Sequence, residues 1–194
     1  MAAAAAFVGT AALAVALTRA PAREGVSLSS DVSARVCATS GLEAWLGLGT
    51  AATGETGDTG IRPAEGTYYT LEFTNVSDRA CSLFGYPQVA AYRDSPVTGG
   101  QIGSMAVRDT SVRPKPVTLA PGATAHAELR VTVSAQPAGC TQVTAAELRI
   151  ALPRQDRPAF VPAHFPVCSQ KGQVSLSVQA IQAHPGIPGY TVTP

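Results

Sequence analysis

Few side chains in this sequence stand at spacings that could support catalysis. A serine hydrolase would place its nucleophile in a G-x-S-x-G turn, and a phosphate-binding loop would read G-x-x-x-x-G-K-[ST]; the sequence contains neither. The three histidines, His126, His164 and His184, are far apart and form no H-x-x-x-H pair. The sequence therefore predicts a protein that is not an enzyme and has no catalytic residue, cofactor or metal site.

A catalytic site assembled from distant loop residues is the alternative, and it would make the chain a secreted enzyme. The candidate groups are His164 together with Asp94 or Asp156. A cleft that held two of these groups within hydrogen-bond range would favour an enzyme over a binding domain.

Two polar stretches look like functional motifs but are better explained as loops. Glu55 and Asp58, in the loop 47–66, lack the regularly alternating oxygen ligands of a calcium-binding loop, so we predict a hairpin loop there. Asn75-Val76-Ser77 matches the glycosylation acceptor pattern. Because Asn, Ser and Asp side chains bond nearby backbone groups, we interpret 75–78 as a turn.

The four cysteines are too widely separated for a zinc site or for a C-x-x-C redox pair. In an exported β domain they indicate two disulfides, for which three pairings exist. We predict the pairs Cys37–Cys81 and Cys140–Cys168, each of which joins neighbouring cysteines and closes a moderate loop. The first would fasten one end of the domain, and the second would hold an edge that prolines interrupt.

The element at the centre of the chain is the segment 68–89, which reads as a strand, a turn and a second strand. Apolar Leu71 and Phe73 alternate with polar residues such as Glu72, so we expect the former in the core and the latter in water. Gly85-Tyr86-Pro87 then bends the chain, because glycine allows unusual dihedral angles and proline fixes its own.

Other segments alternate with the same period of two. The clearest, 125–133, places Leu129 in the core and Glu128 on the solvent side. The segment 161–167 contains two prolines and is therefore restricted to a sheet edge. Further strands are predicted near residues 32–36, 42–46, 89–92, 102, 107, 117–119, 148–152 and 174–178. Roughly seven to nine short strands predict an all-β, immunoglobulin-like two-sheet β-sandwich, with Trp45 in the core between its sheets.

The run L-E-F-T-N-V-S-D-R-A-C-S-L-F-G-Y-P-Q-V resembles a family of exported actinobacterial proteins known as the domain of unknown function DUF4232. Further matches are Cys37, the V-T-L-A-P-G turn at 117–122, and the late pair Cys140 and Cys168. The resemblance covers roughly residues 37–178, and its G-Y-P segment is more specific than the turn, whose Pro-Gly favours type II. It implies a β-sandwich outside the cytoplasm and implies no reaction.

Composition and charge favour one cellular location and argue against one class of partner. Hydrophobic residues make up 45% of the chain and charged residues only 14%, which together with 15 Pro and 18 Gly favours an extracytoplasmic β protein. The formal charge is +1, so no nucleic-acid partner is expected. The segment 94–116 is mildly basic through Arg108, Arg113 and Lys115. We interpret it as a solvated loop, with an anionic partner site as the alternative.

The chain starts with an apolar, alanine-rich segment of signal-peptide length. No basic residue precedes Arg19, which suggests a start upstream of Met1. We predict a signal peptide at 1–20, cleaved after Ala16 or Ala20, a linker at 21–31, the DUF4232-like β-sandwich domain at 32–182 and a flexible tail at 183–194. No stable membrane span is expected after processing. These features predict a secreted or cell-wall-associated, non-catalytic domain whose loops bind a protein or a cell-envelope glycan.

Overall fold

The computed structural model describes residues 35–47, 50–51, 66–93, 100–132, 140–155 and 157–186. Within these ranges every regular element is a β-strand, apart from the 3-10 turn Thr39–Gly41, so the predicted all-β class is confirmed. The strands are β1 (Arg35–Val36), β2 (Leu42–Leu46), β3 (Thr50–Ala51), β4 (Thr67–Asn75), β5 (Cys81–Leu83), β6 (Gln88–Tyr92), β7 (Gln101–Ile102), β8 (Val107–Arg108), β9 (Val117–Leu119), β10 (Thr124–Val131), β11 (Gln142–Ala151), β12 (Ala159–Cys168), β13 (Leu176–Val178) and β14 (Gln182–Ala183).

The strands form two large sheets and a small one. The first large sheet has the order β2-β4-β10-β13-β8, with β3 added to β4 and β14 added to β10. The second has the order β12-β11-β6-β7, and the small sheet has the order β1-β5-β9. Buried side chains of both large sheets form one hydrophobic core, which confirms the predicted β-sandwich. The predicted signal peptide and linker, at 1–31, lie outside the described residues.

The core is centred on β4 and its antiparallel neighbour β10. Leu71, Phe73 and Leu129 are completely buried, as their alternation predicts. The register places Ala125 opposite Phe73 and Ala127 opposite Leu71. Directly opposed residues share one face of a sheet, so large side chains on β4 meet small ones on β10 and fill the inner face without crowding it.

Strand β12 forms an edge of the second large sheet, as its prolines predict. Among the described strands it pairs with β11 alone, and both Pro162 and Pro166 are exposed. Proline has no N–H to offer a further strand, which protects this edge from unwanted pairing. The inner side of β12 joins the core, where the ring centroid of Phe165 lies 5.0 Å from that of Tyr69 on β4.

The prediction that Glu72 faces solvent is wrong. Its side chain is completely buried, and so is that of Thr74 on the same face of β4. Part of the cover over Glu72 comes from the end of the described chain. The amide of Gly186 donates to Glu72 Oε1 (2.8 Å), and His126 Nδ1 donates to the carbonyl of His184 (2.7 Å). Alternation identified the side of the strand correctly, but it carries no information about a distant segment that covers that side.

The segment predicted to be a flexible tail, 183–194, begins inside this cover. Ala183 pairs with Ala125, and residues 184–186 continue across β4 and β10. A Cβ atom on Gly186 would overlap with the side chains of Thr70 and His126, so this crossing is close. The described chain continues to residue 186, and residues 187–194 lie outside the described ones.

The predicted place of Trp45 between the sheets is also wrong. In the register of β2 and β4, Trp45 lies opposite Glu72 and therefore on the outer face, where it is half-buried. Its neighbours Ala44 and Leu46 are the residues of β2 that pack against the core. The period of two already required this, because Trp45 cannot share a face with the residues on either side of it.

Both disulfides join the predicted pairs, and no cysteine is free. The bridge Cys37–Cys81 ties the residue after β1 to the first residue of β5. The bridge Cys140–Cys168 ties the chain before β11 to the last residue of β12, and so fastens the proline-containing edge strand. Two disulfides indicate an oxidising environment for the folded chain.

Candidate binding surface

The motif residues of the central segment converge on the small sheet. Strand β1 pairs in parallel with β5, and β9 pairs with the other side of β5, so that Leu83 lies opposite Val117. The inward side chains of β5 and β9 belong to the hydrophobic core, and the bridge Cys37–Cys81 fixes β1 to this sheet. The sequence predicted strands in these places but not that they pair into a third sheet, because this pairing joins segments that are far apart in the chain.

Asn75 connects the end of β4 to the small sheet. Its Nδ2 donates to the carbonyls of Arg79 (2.8 Å) and Leu119 (3.1 Å). Its Oδ1 accepts from the amide (3.1 Å) and the hydroxyl (2.6 Å) of Ser77. The side chain is completely buried, and both ends are engaged. The acceptor pattern 75–77 is therefore a turn motif in the folded chain rather than a site for a glycan, which would need an accessible amide.

The Pro121-Gly122 turn joins β9 to β10 and meets the same asparagine. The amide of Ala123 donates to the carbonyl of Ala120 (3.0 Å), and Gly122 has φ +76. A positive φ at the third turn position is the signature of type II, as predicted. The amide of Gly122 donates in turn to the backbone carbonyl of Asn75 (2.7 Å), so the turn is held against the end of β4.

Gly85 and Tyr86, of the G-Y-P segment, hold two separate parts of the chain. The carbonyl of Gly85 accepts from the amide of Ile181 (2.9 Å), just before β14. The hydroxyl of Tyr86 donates to the carbonyl of Val112 (3.1 Å), in the loop between β8 and β9. The guanidinium of Arg108 lies 5.6 Å from the centroid of the Tyr86 ring. One dipeptide therefore sets the position of the 109–116 loop and of β14.

A groove of about 590 Å³ lies between these two parts of the chain. We call it the cationic groove, formed by residues 111–113, 115–117 and 181–183. Val117 and Ile181 are buried apolar residues of its lining, whereas Arg113 and Lys115 are exposed. Within the part of the chain that the structure describes, neither cation makes an ion pair, and no acidic residue lines the groove.

The acidic residues nearest in sequence to the groove are engaged in a network of their own. Asp109 accepts from the amide of Ser111 (2.9 Å), and this hydrogen bond holds the pKa of Asp109 below its ordinary value. Gln179 Nε2 donates to Glu128 Oε1 (2.9 Å). Burial, together with the charge of Asp109, raises the pKa of Glu128. This network fastens the start of the 109–116 loop to the sheet.

A second depression, of about 360 Å³, lies beside β1 and Cys81. Its cations are Arg35 and Arg79. The guanidinium of Arg79 is already 3.8 Å from the carboxylate of Asp78, so part of its charge is compensated. Because this depression is smaller and its charge is partly neutralised, the cationic groove is the stronger candidate for a binding site.

The structure shows where the three histidines lie and which residues they contact. His164 is exposed on the outer side of β12, and its candidate partners Asp94 and Asp156 lie outside the described residues. His126 and His184, far apart in sequence, are in contact, and His126 lies opposite Glu72 in the register of β10 and β4. The sequence did not predict this contact, because His184 precedes a segment in which apolar and polar residues do not alternate. Across the described ranges no group of three potential metal ligands comes together.

Comparison with known proteins identifies a family but no individual relative. The model of the family described as domain of unknown function DUF4232 matches residues 37–183. No curated protein and no solved structure matches the chain. Among the described residues, no helix has the length and apolar character to cross a membrane.

Proposed function

Because the chain belongs to the DUF4232 family, whose function is unknown, we propose a function from its own surface. The protein is a secreted or cell-envelope-associated, non-catalytic β-sandwich domain. It binds a protein or glycan partner through the cationic groove. The single observation that carries this proposal is the groove itself, a depression of about 590 Å³ with two exposed cations and two anchored walls.

The construction of the groove supports a binding role. Its walls are irregular chain, but Gly85 holds one wall through Ile181 and Tyr86 holds the other through Val112. Loops that a rigid β-scaffold positions are the usual sites of recognition. A partner would meet walls that are already placed, so little ordering would be needed on binding.

The two disulfides support an extracytoplasmic location, since such bridges persist in oxidising compartments. The alanine-rich start of the sequence is the expected export signal. N-terminal sequencing of the protein from culture supernatant should begin near Leu17 or Pro21. Full-length protein that stays in the cytoplasm with Met1 intact would contradict export.

Capture of cell-envelope components tests the binding role. The folded domain would be immobilised, and solubilised envelope fractions of the source organism would be passed over it. We expect a component that wild type retains and that the variant Arg113→Glu/Lys115→Glu does not. The matched control, Arg157→Glu/Lys171→Glu, reverses two exposed charges outside the groove and should retain it. Equal retention by both charge-reversed variants, or no retention by wild type, would contradict binding through the groove.

A further inference from the structure

We propose that the cationic groove binds an acidic segment of a partner protein, in which carboxylates flank an apolar side chain. This inference rests on the proposed function and names the chemistry of the partner. It follows from three properties of the groove: its two cations with no acidic neighbour among the described lining residues, the apolar residues in its lining, and the anchored position of its walls.

The charge of the groove selects an anionic partner. Arg113 and Lys115 are exposed on one wall, two positions apart, with no acidic residue among the described lining residues. Asp109 is turned towards the amide of Ser111 and lies outside the lining. A neutral glycan would leave both cations without a counter-charge. An acidic segment supplies carboxylates for both and is attracted from a distance at low salt.

The apolar surface favours a protein segment over an anionic glycan. Pro116 and Ala183 are exposed at the rim, above the buried Val117 and Ile181. Hydrocarbon of this kind gains from burial against an apolar side chain, which a peptide offers and a hydroxyl-covered sugar does not.

The fixed walls make a short segment sufficient. The bonds from Gly85 to Ile181 and from Tyr86 to Val112 hold the groove in one shape before a partner arrives. Most of the conformational entropy lost on binding then comes from the partner segment. A few residues with one apolar anchor and two carboxylates are enough to occupy a groove of this size.

Selection from a random-peptide display library tests the proposal without knowledge of the natural partner. The folded domain serves as bait, with the Arg113→Glu/Lys115→Glu variant as the counter-selection. We expect the enriched peptides to contain at least two Asp or Glu residues beside an aromatic or aliphatic one. Enrichment of neutral or basic peptides, or equal enrichment on the charge-reversed variant, would overturn the proposal.

The affinity of an enriched peptide, measured by fluorescence anisotropy, sharpens the result. The double charge reversal should weaken binding at least about tenfold, mainly through slower association. Replacing Asp and Glu of the peptide by Asn and Gln should have a similar effect, and added salt should weaken binding to the wild type. Arg157→Glu/Lys171→Glu should bind as wild type does. Circular dichroism of every variant shows whether the fold is retained, and a folded double reversal with unchanged affinity would refute the assignment.

Envelope capture separates failure of this inference from failure of the proposed function. If a component is retained through the groove but survives proteinase digestion and carries sugar, the binding role holds and the protein-segment assignment is wrong. If the groove variants do not affect capture, the proposed function itself is wrong. Retention that proteinase abolishes, together with acidic display peptides that compete for it, supports both.

Discussion

The two faces of the β4–β10 pair both contain buried side chains, but these side chains are buried by different kinds of contact. On the inner face, Phe73 and Leu71 pack against the small side chains of β10 and against the second sheet. On the outer face, Glu72 is covered by a segment that begins at β14 and bonds to it through Gly186, 114 positions later in the chain. The inner face is covered by the second large sheet. Part of the outer face is covered by residues 182–186, which we call the strap.

Because the contacts differ, substitutions on the two faces should lower the stability of the fold in different ways. Apolar packing is non-directional, so its loss scales with the volume and area removed. A buried polar contact depends on a particular partner, and its loss leaves a group without a hydrogen bond. We therefore expect substitutions of the inner face to act through cavities, and substitutions of the outer face to act through the strap.

The largest effect is expected for Phe73→Ala on the inner face. Phe73 is completely buried, so the substitution should lower the free energy of unfolding by about 3–5 kcal/mol. Phe84→Ala is the matched control, because Phe84 is 47% exposed and its substitution should cost clearly less, on the order of 1 kcal/mol. Urea unfolding curves of both variants give the comparison. Similar losses for the two variants would mean that the register of β4 is wrong.

Glu72→Ala should cost about 1–3 kcal/mol, because it removes the acceptor of the Gly186 amide from a completely buried site. Glu72→Gln keeps an acceptor oxygen of the same reach and should cost less. The two unfolding free energies separate loss of the bond from loss of the charge. A Glu72→Ala variant as stable as wild type would show that the outer face is open to water in solution.

Gly186→Ala should displace the strap, since a Cβ atom would overlap with Thr70 and His126. The expected loss is on the order of 1 kcal/mol, about that of a net hydrogen bond. Amide hydrogen exchange should accelerate locally at residues 182–186 while the core amides stay protected. Gly100→Ala is the control, because a Cβ there meets nothing within 4 Å, and it should leave this exchange pattern unchanged.

The smallest effect concerns the pH dependence contributed by Glu128. Its pKa is raised above 4.5 in the folded chain, so between 4.5 and that raised value the folded state holds a proton that the unfolded state has lost. Stability should therefore fall as pH rises through this window, and Glu128→Gln should remove that decline. Asp109 acts in the opposite sense: its pKa is lowered below 3.8, so its contribution is lost as pH falls below that value.

Thermal melts between pH 3 and pH 7 measure both slopes. The variant Glu128→Gln should still lose stability as the pH falls below 3.8, whereas Asp109→Asn should lose less stability over the same range. A decline above pH 4.5 that persists in Glu128→Gln would assign it to another group.

Local patterns in the sequence were sufficient for much of the fold. Alternation located β4, β10 and the core residues Leu71, Phe73 and Leu129. The prolines of 161–167 identified an edge strand, because a missing N–H excludes a central position. The Pro-Gly pair at 121–122 identified a type II turn from the dihedral angles that those two residues allow. Each of these conclusions depends on residues within a few positions of one another.

Much less of the candidate site could be predicted from the sequence. The basic character of Arg113 and Lys115 was visible, but a solvated loop was the primary interpretation. The groove exists because Ile181 and Val112 are both bonded to the Gly85-Tyr86 pair, and nothing in their own neighbourhoods indicates those bonds. The same holds for the contact of His126 with His184, which joins positions 58 residues apart.

The sequence by itself determined the all-β class, the side of each strand that is apolar and the type II turn at 121–122. These follow from backbone sterics and from a side-chain period of two, which act over a few residues. The tertiary structure alone decided that Glu72 is buried, that the chain crosses the outer face of β4 as far as Gly186 and that two cations border one groove. Those features depend on which remote segments come to lie against a given face, and that choice is made by the packing of the whole chain.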